Sequence, residues 1–270
     1  MTPGSWRLAA ASALGTSHEK LGTPCQDAHA CEALLSATGE TLLVAVVADG
    51  AGSAIRSGDG AQLACALMLD EVRALREPGG GIGGIGGIGG LSRELACGWL
   101  ARFQMEIGVR AAAEGLAPRD FACTLLVALV GEERAAFFQI GDGAMVVSDG
   151  EGDPDGDGYA WIFWPDNGEY ENLTYFATDP QAADHLRFDT VDRAVDEIAL
   201  FSDGLQRLAL HYQTRTAHPP FFRSLFAAVR AADAETAEVL SGRLAAYLSS
   251  PPINERTDDD KTLILATRRP

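Results

Sequence analysis

The chain has 270 residues, 47% of them apolar, and a formal charge of −17. That apolar content suffices for a full core, whereas 38 acidic against 21 basic residues, with no run of Lys or Arg, excludes nucleic-acid or anionic-membrane binding as the working principle. The five scattered cysteines (Cys25, Cys31, Cys65, Cys97, Cys123) contain no Cys-x-x-Cys pair, which excludes a zinc ribbon or a disulfide framework and fits reduced thiols.

Trp6 to Ala13 reads as a first strand, followed by a loop from Gly15 to Asp27. The Met1–Trp6 stretch lacks the basic and apolar regions of a signal peptide. No apolar run reaches the length of a membrane span, so a cytoplasmic location is expected. Ala28 to Leu35 and Thr41 to Ala48 are predicted strands, the second buried by its β-branched content. Beyond Gly50, apolar residues Ala61, Ala64, Leu67, Met68, Val72 and Leu75 recur near the helical period. A Gly-Gly-Ile repeat over 79–90 follows. It succeeds no strand and carries no Lys-Ser/Thr ending, so it reads as a flexible linker between two helices rather than a phosphate loop. Ser92 is placed to cap the second helix, whose stripe is Leu95, Trp99, Phe103 and Ile107.

Phe121 to Val130 and Ala135 to Ile140 are predicted partner strands around a turn at Glu132-Glu133. The tight turn Gly141-Asp142-Gly143 leads to strands at Ala144–Val147 and Tyr159–Trp164, in which Trp161, Phe163 and Trp164 are expected to pack within a hairpin. The acidic segment between them, Asp149 to Gly158, matches part of a calcium loop but has Trp164 where the bidentate Glu is required, so it reads as a solvated turn. Asp196 to Ser202 is a strand, Phe222 to Arg230 and Glu235 to Leu248 are helices, and Thr262 to Ala266 closes the chain. Strand–helix alternation is poor. The expected class is α+β, a four-layer αββα sandwich of two mostly antiparallel sheets flanked by helix pairs, formed by a single domain over 1–270.

Three aspartates stand at the ends of apolar runs: Asp49 after Leu42–Ala48, Asp203 after Ile198–Ser202, and Asp259 just before Lys261–Leu265. Asp-Gly is a common turn pair, so any one of them has a bland explanation. A carboxylate at a strand end nevertheless reaches solvent from a fixed backbone, and several together suit hard divalent cations. Grouped carboxylates repel and raise one another's pKa unless a cation lies between them.

Gln26-Asp27-Ala28, Ala48-Asp49-Gly50, Cys123-Thr124-Leu125, Ile140-Gly141-Asp142-Gly143, Phe201-Ser202-Asp203-Gly204 and Asp259-Asp260-Lys261-Thr262 occur in this order. Together they resemble the successive motifs of the protein phosphatase 2C family, the metal-dependent serine/threonine phosphatases. Gly15–His18 through Asp27, Gly168–Thr174 and Ala51-Gly52-Ser53 resemble a bacterial branch of it. The resemblance runs from about residue 8 to residue 266. It implies the αββα fold and a site for two Mn²⁺ or Mg²⁺ ions. Asp49 would bridge them and the Gly50 carbonyl would ligate one. Asp203 and Asp259 would complete the other, and Asp142 with Asp203 would hold a third. Asp27 would act as a ligand or orient a metal-bound water. The implied reaction is in-line attack of a metal-activated water on phosphoserine or phosphothreonine, without a covalent enzyme intermediate.

Three positions depart from the pattern. Gln26 stands where many members have a metal-binding Glu, and Ala51 where some have a His serving as general acid. The phosphate-gripping Arg of relatives would lie near Gly22 and is absent. His18 and Lys20, on the same loop, are the expected substitutes for contact with phosphate. The remaining histidines (His29, His185, His211, His218) show no ligand spacing and read as packing or surface residues. Thr124 has no base in evidence and reads as buried packing. The implied partners are phosphorylated proteins and a cognate serine/threonine kinase, for a monomer. Two rivals follow from the departures: a catalytically weak phosphoprotein-binding regulator of the same fold, and a hydrolase of small phosphoesters.

Overall fold

The computed structural model describes residues 6–35, 40–75, 90–149, 158–165, 174–232 and 234–269. In chain order its elements begin with β1 (Arg7–Ala13), α1 (Thr16–Leu21), β2 (Ala28–Leu35), β3 (Thr41–Ala48), α2 (Ser57–Leu75) and α3 (Arg93–Glu114). There follow β4 (Leu125–Val130), β5 (Ala135–Ile140), β6 (Ala144–Ser148), β7 (Tyr159–Trp161), α4 (Ala182–His185), β8 (Arg187–Val191) and β9 (Glu197–Phe201). The last are α5 (Gln206–Ala209), β10 (Leu210–His211), β11 (Thr216–Ala217), α6 (Pro219–Arg230), α7 (Ala234–Leu248), α8 (Pro251–Asn254) and β12 (Lys261–Thr267).

These elements fall into two compact units. The first, made of 1–25, 143–164 and 195–270, carries a five-stranded sheet in the order β1-β12-β9-β6-β7. Every neighbouring pair in it is antiparallel. Helices α6 and α7 cover this sheet, with Phe222, Phe226, Val229, Leu244 and Leu248 packed on Ala9, Ala11, Leu263 and Leu265. The small side chains of β1 let α7 approach closely enough for the Ala10 N–H to donate to Ser241 Oγ at 3.1 Å.

The second unit, made of 26–142 and 165–194, carries the sheet β2-β3-β4-β5-β8, again antiparallel throughout. Val44, Val46 and Ala48 of β3 alternate toward α2 and α3, meeting Ala61, Ala64, Met68, Trp99, Phe103 and Ile107. The opposite-facing Leu43, Ala45 and Val47 are equally buried, which is why this strand reads as a continuous apolar run rather than an alternating one. Ser92 caps α3 as expected, its Oγ accepting the Leu95 N–H at 3.3 Å.

Two antiparallel sheets, each with its own helix pair, make this an α+β fold. Several local expectations need correction. The predicted loop 15–27 contains α1, six residues closed by Gly22 at φ 68°, the left-handed conformation that a glycine adopts without strain. The strand predicted from Phe121 starts only at Leu125; Pro118 at the first position instead winds 118–121 into a 3₁₀ turn. The strand predicted over 159–164 stops at Trp161, after which Trp164 turns away to meet Trp161 and Tyr212 edge-on. Helix α6 starts three residues early because Pro219 and Pro220 occupy its first turn. Strand β8 was not foreseen: its sequence Arg-Phe-Asp-Thr-Val is half polar, as suits the sheet edge it occupies. The Gly-Gly-Ile repeat up to Gly89, the acidic turn at 150–157 and the Gly168–Leu173 part of a family motif lie outside the described residues.

Candidate active site at the strand ends

In the second unit the acidic residues sit where the ladder stops. The β2–β3 register pairs Ala28 with Ala48, so the next step along both strands sets Asp27 opposite Asp49. One step further Gly50 meets the Gln26 carbonyl, which would lie 2.7 Å from a Cβ at position 50. Only glycine permits that approach. On its other side Asp49 is held by β4: its N–H donates to Thr124 Oγ1 at 3.0 Å, and its carbonyl accepts the Thr124 N–H at 2.8 Å. Gly50 then bridges to Cys123. The β4–β5 register continues from Leu125–Ile140 and leads to Asp142, whose Oδ2 accepts from Thr174 Oγ1 at 2.8 Å. Asp142 is thus two strands from Asp49, about 10 Å at the usual strand spacing. Asp27 is buried, while Asp49 and Asp142 are half-buried.

Beneath this row Cys65 and Cys123 are fully buried. Loss of hydration pushes the Cys123 thiol up to about 12 and the Cys65 thiol well upward, with Cys123 and Asp27 adding to the latter. Such thiols are inert packing groups. His29, in β2 opposite Val47, has its pKa lowered by burial, and His185 stacks on Tyr175.

The first unit uses the same device. Strand β9 ends at Phe201, and Asp203 starts a short 3₁₀ turn after Ser202. Ser202 Oγ accepts the Thr262 N–H at 3.0 Å, and the Ser202 N–H donates to the Thr262 carbonyl at 3.2 Å. Gly204 presses on the segment before β12: a Cβ there would stand 2.1 Å from the Asp260 carbonyl oxygen and 3.5 Å from Asp259 Cβ. Asp203 and Asp259 are therefore neighbours at one sheet end. Asp259 is exposed, and its Oδ1 accepts the Asp260 N–H at 2.8 Å. Buried Lys261 folds back to donate to the Asp259 carbonyl at 3.1 Å, Asn254 Oδ1 at 3.0 Å and the Leu14 carbonyl at 3.4 Å. His18, from α1, reaches the same segment through Asp260, while Lys20 is exposed.

The residues that fix these carboxylates were not singled out from sequence: Thr124 as an acceptor for Asp49, Ser202 for Thr262, and Asp260 and Lys261 around Asp259. Each lies inside one of the short motifs, and a hydroxyl or charged residue next to a strand-end Asp is the signal that could have found it. Within neither unit do three His, Cys, Asp or Glu side chains, among the described residues, gather into a cation site. The donors come instead as pairs, Asp27 with Asp49 and Asp203 with Asp259. Hard carboxylate oxygens beside the Gly50 carbonyl are the chemistry that Mg²⁺ and Mn²⁺ take, so the donor set fits such ions.

The family model described as Protein phosphatase 2C matches residues 14–249. Serine/threonine-protein phosphatase 3 of Escherichia coli is 40% identical over 266 residues, covering 97% of this chain and 98% of that protein. Among solved structures, a bacterial serine phosphatase superposes with a TM-score of 0.59 at 17% identity, covering 98% of each chain. The catalytic domain of the serine/threonine phosphatase PstP, in complex with two manganese ions, gives 0.57 at 17% identity over 97% of each. At that identity the two structures speak to the fold alone.

Proposed function

Because the chain belongs to the protein phosphatase 2C family, we propose that it is a Mn²⁺- or Mg²⁺-dependent phosphatase that hydrolyses phosphoserine and phosphothreonine in proteins. The observation that carries this reading is the pairing of strand-end aspartates, Asp27 opposite Asp49 and Asp203 beside Asp259, each on a backbone pinned by the next strand. Asp49 and the Gly50 carbonyl would hold one ion, and Asp203 with Asp259 would hold another. Asp27 would be a ligand or orient a bound water, and Asp142 would be a further acidic ligand. When bound, such ions supply a water of lowered pKa and offset charge on the phosphoryl oxygens.

The chain's own contribution is positioning. Thr124, just before β4, holds both the Asp49 N–H, through its Oγ1, and the Asp49 carbonyl, through its N–H, so the carboxylate is aimed by backbone rather than by a flexible stem. His18, and Lys20 on the same short helix, would contact the phosphate where the phosphate-binding Arg of relatives is missing. The 1–270 chain is read as one functional domain, a view supported by its repeated passage between the two units. A cognate serine/threonine kinase would generate the substrates, and the monomer would act in the cytoplasm; among the described residues no helix is long and apolar enough to cross a membrane. The test is hydrolysis of a phosphothreonine peptide with added Mn²⁺, abolished by EDTA and lost in Asp49→Asn and Asp203→Asn. Full activity in both variants would refute the assignment.

A further inference from the structure

We infer that His18 and Asp260 form a carboxylate–imidazole pair that protonates the serine or threonine oxygen as it leaves phosphorus, with Asp260 as the positioning residue. This deepens the phosphatase reading and rests on it.

His18 Nδ1 lies 2.9 Å from Asp260 Oδ2. The other carboxylate oxygen, Oδ1, accepts the Gly15 N–H at 2.6 Å. Asp260 is 3% exposed, so this acceptor has a fixed direction. A carboxylate offers no proton of its own, so the Nδ1 side of the ring must donate. That assigns the tautomer and leaves Nε2 as the working nitrogen. Among the described residues Nε2 makes no hydrogen bond, and the side chain keeps 14% of its surface. With the Nδ1–H held by the carboxylate, a proton taken from solvent goes to Nε2, the nitrogen that then donates.

The helix bearing His18 is already anchored without it. Ser17 donates from both its N–H and its Oγ to the Asp258 carbonyl, at 2.9 and 2.6 Å, and Gly22 caps the helix through the Glu19 and His18 carbonyls. A purely structural role for the imidazole is therefore largely redundant. Its location is not: Asp260 adjoins Asp259 and lies under Gly204, beside Asp203.

The step balances. Water oxygen forms the new bond to phosphorus while the ester P–O bond breaks and its electron pair moves to the seryl oxygen. The Nε2 proton passes to that oxygen, giving the free hydroxyl. The proton lost by the attacking water goes to solvent, from which Nε2 is recharged.

The test compares a phosphothreonine peptide, whose alkoxide needs a proton, with 4-nitrophenyl phosphate, whose phenolate leaves as a stable anion. Wild type, His18→Gln and Asp260→Asn are assayed in saturating Mn²⁺. General-acid loss costs roughly 10²–10⁴-fold. In both variants kcat on the peptide should fall by at least about 100-fold, and on the nitrophenyl ester by about 10-fold or less, from lost phosphate contact. Nitrogen-15 NMR of the His18 ring supplies the second readout: the Nδ1 proton present in wild type should move to Nε2 in Asp260→Asn, because the amide now donates to Nδ1. Thermal unfolding identifies any misfolded variant; since His18 is near the surface, His18→Gln carries the test if Asp260→Asn does not fold. Equal losses on the two esters, or none, would overturn the pair while leaving the phosphatase reading intact. A wild type inactive on both esters would remove that reading, and this proposal with it.

Discussion

Thr124→Val isolates what one buried hydroxyl does for Asp49. Valine keeps the shape and the methyl that packs against Gly141, whose notional Cβ would lie 2.5 Å from Thr124 Cγ2. It removes the acceptor that the Asp49 N–H uses at 3.0 Å, at a residue only 2% exposed. A donor left unsatisfied in such a place costs about 1–3 kcal/mol. For a chain of this size that corresponds to a fall in Tm of about 2–4 °C per kcal/mol. The loss of function should exceed the loss of stability. The Thr124 N–H still holds the Asp49 carbonyl, so the strand stays paired while the peptide before the carboxylate is free to tilt, and a shift near 1 Å costs about 100-fold in rate. Thr124→Ser supplies the control: it keeps the acceptor, loses the methyl, and should retain activity within a few-fold while still losing stability. Urea unfolding and phosphopeptide hydrolysis in Mn²⁺ measure the two effects. A Thr124→Val enzyme with wild-type rate and wild-type midpoint would refute the idea that this hydroxyl aims Asp49.

Three further outcomes are expected. Glu197 is fully buried, bound by Arg230 at 2.6 and 2.7 Å, Tyr159 Oη at 2.9 Å and Thr267 Oγ1 at 3.0 Å; Glu197→Ala strands the guanidinium and should cost about 3–5 kcal/mol by denaturant unfolding. Burial raises Cys123 to about 12 and Cys31 to about 11 from 9.0. The folded state therefore holds these protons more tightly than the unfolded chain, and stability should be flat below pH 9 and fall above it, by up to about 1.4 kcal/mol per pH unit for each thiol; Cys123→Ala should make the slope shallower in a pH series of unfolding curves. Finally, Mn²⁺ should raise Tm in the wild type by mass action and much less in Asp49→Asn, and an equal rise in both, read by calorimetry, would argue against Asp49 as a ligand.

How much of this was legible in the sequence depends on what carries the signal. Strands β2, β3 and β5 were bounded to the residue, because β2 opens directly after Asp27 while the apolar runs of β3 and β5 stop at Asp49 and Gly141. Helix α3 was legible from its cap and its stripe. Elements governed by small local terms were not: α1 has no buried residue, β8 is half polar at an edge, and β10 and β11 are two residues each. The candidate carboxylates were legible because they interrupt apolar runs. Their supports were not, since a Thr or Ser in a buried strand reads as packing until a register shows which N–H faces its oxygen. Asp260 and Lys261 illustrate the point: in sequence they are two more charges in an acidic stretch, and the fold turns one into an acceptor for Gly15 and His18 and the other into a buried donor to three oxygens.

The two sheets share a construction that explains why the motifs are so short. A ladder that ends abruptly leaves an unmatched N–H at its last rung, and a buried one must find an acceptor. Thr124 Oγ1 supplies it to Asp49, and Ser202 Oγ supplies it to Thr262. In both places the side-chain oxygen reaches further than a backbone carbonyl would, so the chain leaves the ladder at that residue without losing a hydrogen bond. A glycine then takes the next close approach, Gly50 against Gln26 and Gly204 against Asp260. The aspartate between hydroxyl and glycine is left with a fixed backbone and a carboxylate clear of the sheet. The hydroxyl is contiguous with its Asp-Gly pair at Ser202-Asp203-Gly204 and comes to Asp49-Gly50 from Thr124 on the neighbouring strand, so, with the strands in register, the geometry needs only an Asp-Gly pair and one hydroxyl per sheet end while the remainder of each unit serves to hold the rungs still.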